Sequence, residues 1–92
     1  MTNLKEFRVL YNKDSDVLYI RAPSQPAEHG LEDEFGIVWR YSSDGRPLGC
    51  IVQDFAEYWY PRRAAHLAAT ISRHLELPEN QVEKILAHAA SE

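Results

Sequence analysis

Tyr11-Asn12-Lys13-Asp14-Ser15-Asp16-Val17-Leu18-Tyr19-Ile20-Arg21 decides the fold of this 92-residue chain. Asn12-Lys13-Asp14-Ser15 concentrates the short polar side chains that favour tight turns. The residues after it, Val17-Leu18-Tyr19-Ile20, are β-branched, aromatic or aliphatic and form a strand. Upstream, Glu6–Tyr11 places Phe7, Val9 and Tyr11 in alternation, a second strand pattern, so the stretch reads as a β-hairpin. Pro23 and Pro26 stop the returning strand. The acidic segment Gln25–Glu34, with Glu28, Glu32, Asp33 and Glu34, reads as a loop. A second hairpin follows: Gly36-Ile37-Val38-Trp39-Arg40-Tyr41, a turn at Ser42-Ser43-Asp44-Gly45, and Leu48-Gly49-Cys50-Ile51-Val52.

Beyond Asp54 the apolar period changes from two to near 3.6. Pro61 suits a helix opening, where its missing N–H is no loss. Ala64, Leu67, Ala68, Ile71 and Leu75 then share one face, with Arg62, Arg63, His66, Thr70, Arg73 and His74 opposite. Leu77-Pro78-Glu79-Asn80 breaks the helix. Val82, Ile85, Leu86 and Ala89 carry the i, i+3, i+4, i+7 pattern of a second one. The expected fold is α+β: a four-stranded, mainly antiparallel sheet of two β-hairpins followed by two C-terminal α-helices packed on one face. The expected organisation is a single domain, 1–92, with a helical extension over 61–90. Strand alternation makes the sheet apolar on both sides, and two helices cover one, so the other face or an open edge strand calls for a partner. A homodimer is the simplest expectation.

The apolar set makes up 45% of the chain and charged residues 26%, which excludes a disordered polymer. A single cysteine excludes an internal disulfide framework. No apolar run approaches the roughly 20 residues of a membrane span, and Met1–Arg8 lacks the apolar stretch of a signal peptide, so the expected location is cytoplasmic, with no membrane association. The net charge of −4 weighs against a chain-wide nucleic-acid footprint.

Tyr11–Arg21, then Gly36-Ile37 leading to Tyr41, then Asp44-Gly45-Arg46-Pro47-Leu48-Gly49-Cys50-Ile51 and Asp54, resemble the DUF2283 family of small bacterial proteins. Its hallmark is a D-x-L-Y-I strand followed by a D-G-x-x-x-G-x-x hairpin. The resemblance covers about residues 7–56 and stops short of the helices. It implies no established activity and carries over no catalytic or binding residue; some members look like one half of small two-gene modules of toxin–antitoxin type. Cys50 and Gln53 depart from the usual strand residues, and Tyr58-Trp59-Tyr60 leads into an extension that short members lack.

Residue chemistry gives no catalytic constellation. Asp14 and Asp16 flank a turn, where carboxylates accept backbone N–H groups, and the hallmark reads as a folding signature rather than an acid–base pair. The acidic loop lacks the alternating ligand spacing of a calcium site. His66 and His74 lie about 12 Å apart along one helix, too far to share a zinc, and His29 and His88 have no sequence partner, so no metal and no cofactor is expected. Cys50, alternating with Leu48 and Val52, reads as a buried thiol. Two surfaces remain. The basic helix face comprises Arg62, His66, Arg73 and His74. The expected partner-binding segment comprises Tyr58, Trp59, Tyr60, Arg62 and Arg63, residue types enriched at binding hot spots, with Trp59 either its exposed anchor or a core residue. The functional expectation is a small non-enzymatic protein-interaction module, an antitoxin-like partner of a gene pair. The alternatives are a nucleic-acid-binding regulator using the basic face, and a small-molecule-binding protein with its site beside Trp39, Tyr58 and Trp59.

Overall fold

The Asn12–Ser15 turn returns the chain as its sequence predicts, because the Asn12 side-chain oxygen accepts the backbone N–H groups of Asp14 and Ser15 at 3.1 and 3.2 Å. The computed structural model describes residues 7–22 and 29–91. Its elements are β1 (Arg8–Asn12), β2 (Val17–Arg21), β3 (His29–Glu32), β4 (Ile37–Tyr41), β5 (Pro47–Gln53), a π-helical turn (Phe55–Trp59), α1 (Ala64–Leu75) and α2 (Glu79–Ala90). Every strand pairing is antiparallel, in the spatial order β1-β2-β5-β4-β3. The two expected hairpins are therefore joined through β2 and β5.

Among the described residues the sheet has five strands, which corrects the expected four. His29-Gly30-Leu31-Glu32 lies inside the segment read as a loop, yet it pairs with β4 from Glu32↔Val38 to His29↔Tyr41. No alternating β-branched pattern announces this strand; the exposed edge of β4 supplies the ladder, and all four β3 residues stay exposed. Pro23, Pro26 and the Gln25–Glu28 part of the expected loop lie outside the described residues.

Register assigns the two faces. Leu18, Ile20, Ile37, Trp39, Cys50 and Val52 point to one side, where they join Phe55, Trp59, Leu67, Ala68, Ile71, Leu75, Val82, Leu86 and Ala89 in a single buried cluster. Both helices lie on this side. The opposite face carries the row Leu10–Tyr19–Ile51–Val38, left uncovered by either helix, with Leu10 64% exposed.

Two helix expectations need correction. The helix opens at Ala64 rather than Pro61, since Tyr60, the residue before the proline, is extended and residues 60–63 form a turn. Thr70, expected on the outer face, is buried, and its hydroxyl is satisfied there by donating to the His66 carbonyl at 2.8 Å.

The hallmark residues prove to be architectural. Asp16, in the left-handed region at φ 58°, accepts the Tyr11 hydroxyl at 2.6 Å and the backbone N–H groups of Ala56 and Glu57 at 2.8 and 3.0 Å. Its carboxylate thus caps the π-helical turn from about forty residues away in sequence. Gly45 turns the second hairpin at φ 85°. At Gly49 a Cβ would lie 2.1 Å from the Ile20 carbonyl oxygen and 2.8 Å from the Arg21 Cα, so only glycine lets β5 approach β2.

Candidate interaction cleft

The aromatic run of the extension does not act as one surface, because the π-helical turn points its members in different directions. Trp59 is a core residue, 2% exposed. The structure thereby decides against Trp59 as an exposed anchor: capped by Asp16 and followed by a proline, the turn drives its ring inward. Tyr60 is half-buried and stacks on Phe55 at a centroid distance of 5.6 Å. Tyr58 alone faces out, 43% exposed, edge-on to Trp59 at 5.0 Å. Arg63 is pinned to it, donating from Nη1 to the Tyr58 carbonyl at 2.7 Å with its guanidinium 4.0 Å from the ring centroid. Arg62 is exposed in the turn before α1.

The basic helix face is likewise divided. Arg73 is exposed, but His74 is half-buried, stacked on Trp39 at 3.9 Å with Nδ1 3.0 Å from the Thr70 carbonyl. His66 meets Phe35 and Trp59 edge-on at 5.2 and 5.9 Å. Stacking on Trp39, invisible in a helical wheel, draws His74 away from the basic stripe, while His66 stays exposed with one side of its ring against Phe35 and Trp59.

What the fold does assemble beside Tyr58 is a cleft of about 250 Å³, lined by Glu32, Phe35, Gly36, Gln53, Asp54, Tyr58 and Trp59. Three separate segments build it: the end of β3 with the β3–β4 turn, the end of β5, and the π-helical turn. Phe35, 44% exposed, is held edge-on to Trp59 at 6.3 Å, so two half-exposed rings rest against a buried indole. Gly36 adopts φ 84°, and the Glu32 carboxylate lies 3.7 Å from where its Cβ would be. Asp54 also has positive φ, 55°, which turns the chain out of β5.

Asp33 sets the shape of this turn. Its carboxylate accepts the N–H groups of Phe35 at 2.9 Å, Ile37 at 3.0 Å and the Trp39 indole at 2.9 Å. Burial alone would raise its pKa, but the hydrogen bonds from Trp39, Ile37 and Phe35, with His74 nearby, outweigh that and hold it below the ordinary carboxylate value. A network of this kind fixes where Phe35 and Glu32 stand. Chemically, the cleft offers the Glu32 and Asp54 carboxylates and two half-exposed aromatic rings, whose faces attract positive charge, a combination suited to an organic cation. Sequence reading missed Glu32, Phe35, Gly36, Gln53 and Asp54; the available signal was Asp33-Glu34-Phe35-Gly36, a turn sequence with an aromatic set in an acidic run.

The remaining chemistry-bearing residues are structural. Asp14 is exposed, while Asp16 serves as the cap described above. Cys50 is 1% exposed, and burial, with the Asp33 carboxylate, pushes its thiol up to about 12. His29 stacks on Tyr41 at 5.6 Å. Among the described residues no group of three or more His, Cys, Asp or Glu is placed to hold a metal ion, and no helix is long and apolar enough to cross a membrane.

No curated protein and no solved structure matches the chain. The family described as "Protein of unknown function (DUF2283)" matches residues 8–55, a span that contains the whole five-stranded sheet, the capping Asp16 and both hallmark glycines. The chain belongs to the DUF2283 family.

Proposed function

We propose that the protein is a non-enzymatic interaction module that receives a basic side chain of a partner protein in the cleft between Phe35 and Tyr58. The observation that carries this reading is the pair of half-exposed rings held beside the Glu32 and Asp54 carboxylates by buried supports. A lysine or arginine entering there gains ring contact and a charge-assisted hydrogen bond, together about 1–3 kcal/mol, enough for one anchor of a larger interface. The net charge of −4 favours the same kind of partner, and an antitoxin-like role opposite a basic protein in the bacterial cytoplasm suits both features. The nucleic-acid alternative has less support, since exposed Arg62 and Arg73 are left without His74, which is turned inward.

The test is affinity capture from the native host with the wild-type chain, Tyr58→Ala, a Glu32→Gln/Asp54→Asn double variant, and Arg73→Ala. The expected result is a partner lost with both cleft variants, kept by Arg73→Ala, and bound through a lysine- or arginine-bearing segment. A partner retained equally by all four chains contradicts the proposal. Nucleic acid lost with Arg73→Ala would favour the regulator instead.

A further inference from the structure

The two edges of the sheet are not alike. β3, at one edge, is four residues long, contains Gly30, and runs into Glu32-Asp33-Glu34, the short charged form by which edge strands avoid pairing with other chains. β1, at the other edge, reads Arg-Val-Leu-Tyr-Asn and carries no proline, glycine, lysine or bulge. Among the described residues it has a neighbouring strand on one side only. It presents an exposed apolar side chain on each face, Val9 at 41% on the helix side and Leu10 at 64% between Arg8 and Asn12 on the open side. A groove of about 470 Å³ accompanies it on the open face, beside Leu10, Tyr19 and the Arg8 and Arg21 side chains. A second, of about 280 Å³, runs between Val9 and the Gln81, Lys84 and Ile85 side chains of α2. An added strand would therefore find room for side chains above and below the sheet, as alternating residues require.

We propose that the occupant is a second copy of this chain, its β1 pairing antiparallel with β1 and Leu10 at the two-fold axis. Twofold pairing within one sheet brings together residues that point to the same face. Centred on Leu10, it pairs all five residues of the strand: Leu10 with its counterpart, Val9 with Tyr11, and Arg8 with Asn12. The strand's single charge then meets a neutral amide rather than a like charge, whereas centring on Arg8 would oppose two arginines. The result is a ten-stranded sheet, with Leu10 of each copy covered on the open face and Val9 beside the α2 groove. The Phe35–Tyr58 cleft lies toward the β3 side, so a dimer built on β1 leaves both clefts free and makes the assembly bivalent.

Sedimentation equilibrium of the full chain should give about twice the 10.6 kDa chain mass at micromolar concentration. Leu10→Lys, at a position exposed enough to spare the fold, should raise the dimer dissociation constant at least tenfold, while Leu31→Lys on the opposite edge strand should leave it unchanged. In a Cys50→Ala background, Leu10→Cys treated with diamide should yield a disulfide-linked dimer, because directly opposed antiparallel residues have Cα atoms about 4.5–5.5 Å apart. Leu31→Cys should not. A monomeric wild type, a dimer indifferent to Leu10→Lys, or preferential cross-linking through Leu31→Cys overturns the proposal. Tyr58→Ala should keep the dimer, so loss of the cleft's partner and loss of β1 pairing are read separately.

Discussion

Replacing Asp16 by Asn tests whether the family hallmark is a long-range cap. The substitution keeps the side-chain shape and tolerates the left-handed backbone at φ 58°, so it isolates the carboxylate. That carboxylate accepts three hydrogen bonds, from Tyr11 Oη at 2.6 Å, Ala56 N at 2.8 Å and Glu57 N at 3.0 Å. Asparagine retains one acceptor oxygen, which weakens the two bonds made to Oδ1 by losing their charge, and its amide nitrogen at the Oδ2 position meets the Glu57 N–H, a donor it cannot serve. With charge-assisted bonds worth about 1.5–3 kcal/mol each in dry surroundings and less at this partly exposed site, the net loss should be about 2 kcal/mol at pH 7. For a domain of this size that lowers Tm by roughly 8–16 °C. Burial pushes the Asp16 pKa up, but the bonds from Tyr11, Ala56 and Glu57 prevail and leave it below its ordinary 3.8. The cap's contribution is therefore complete above about pH 4 and disappears as pH falls through the lower folded-state value. Urea titrations of wild type and Asp16→Asn should show the stability gap at pH 7 and a gap that shrinks progressively as pH falls below 3.8. A gap under about 0.5 kcal/mol at pH 7, or one that persists undiminished in acid, refutes this account of the hallmark.

Gly49→Ala should cost at least about 3 kcal/mol or prevent folding, because its Cβ would meet the Ile20 carbonyl at 2.1 Å, and circular dichroism melts would show it. Trp59→Ala should lower stability by about 3–5 kcal/mol, whereas Tyr58→Ala should change it by less than about 1 kcal/mol; comparable denaturation midpoints for the two would contradict the division of the aromatic run. The hydrogen bond to Asp16, burial and the Asp16 charge raise the Tyr11 hydroxyl from 10.0 to about 12. A raised pKa contributes stability below pH 10 that is lost as pH climbs toward 12, so wild type should lose stability in that interval relative to Tyr11→Phe, as alkaline urea titrations would reveal.

The local signals in the chain carried most of the architecture. The β-prone runs Val17–Ile20 and Ile37–Tyr41, turn chemistry at Asn12 and Gly45, and the helical spacing of Leu67, Ile71, Val82 and Leu86 all match the observed elements. Two features escaped because their cause is distant in sequence. His29–Glu32 becomes a strand through the ladder offered by β4, which its own composition does not disclose. Asp16 looked like a local turn residue, yet two of its partners, Ala56 and Glu57, lie about forty residues away. The cleft was half legible. Tyr58 was singled out, but consecutive aromatics give no hint of which one a π-helical turn will bury. Phe35, Glu32 and Asp54 come together only once β3 is in place. His74 shows the complementary failure, since a helical wheel puts it outside while stacking on Trp39 draws it in.

The cleft reading is tested most directly by titrating the ¹⁵N-labelled protein with N-acetyl-arginine amide, an isolated basic side chain with neutral ends, and following backbone amide shifts. Binding should be weak, in the millimolar range expected of a single anchor. The perturbations should concentrate at Glu32, Phe35, Gly36, Asp54 and Tyr58, and vanish in the Glu32→Gln/Asp54→Asn variant, with N-acetyl-glutamate amide producing none. Shifts spread over the surface, or centred on the open sheet face and unaffected by that variant, would contradict it.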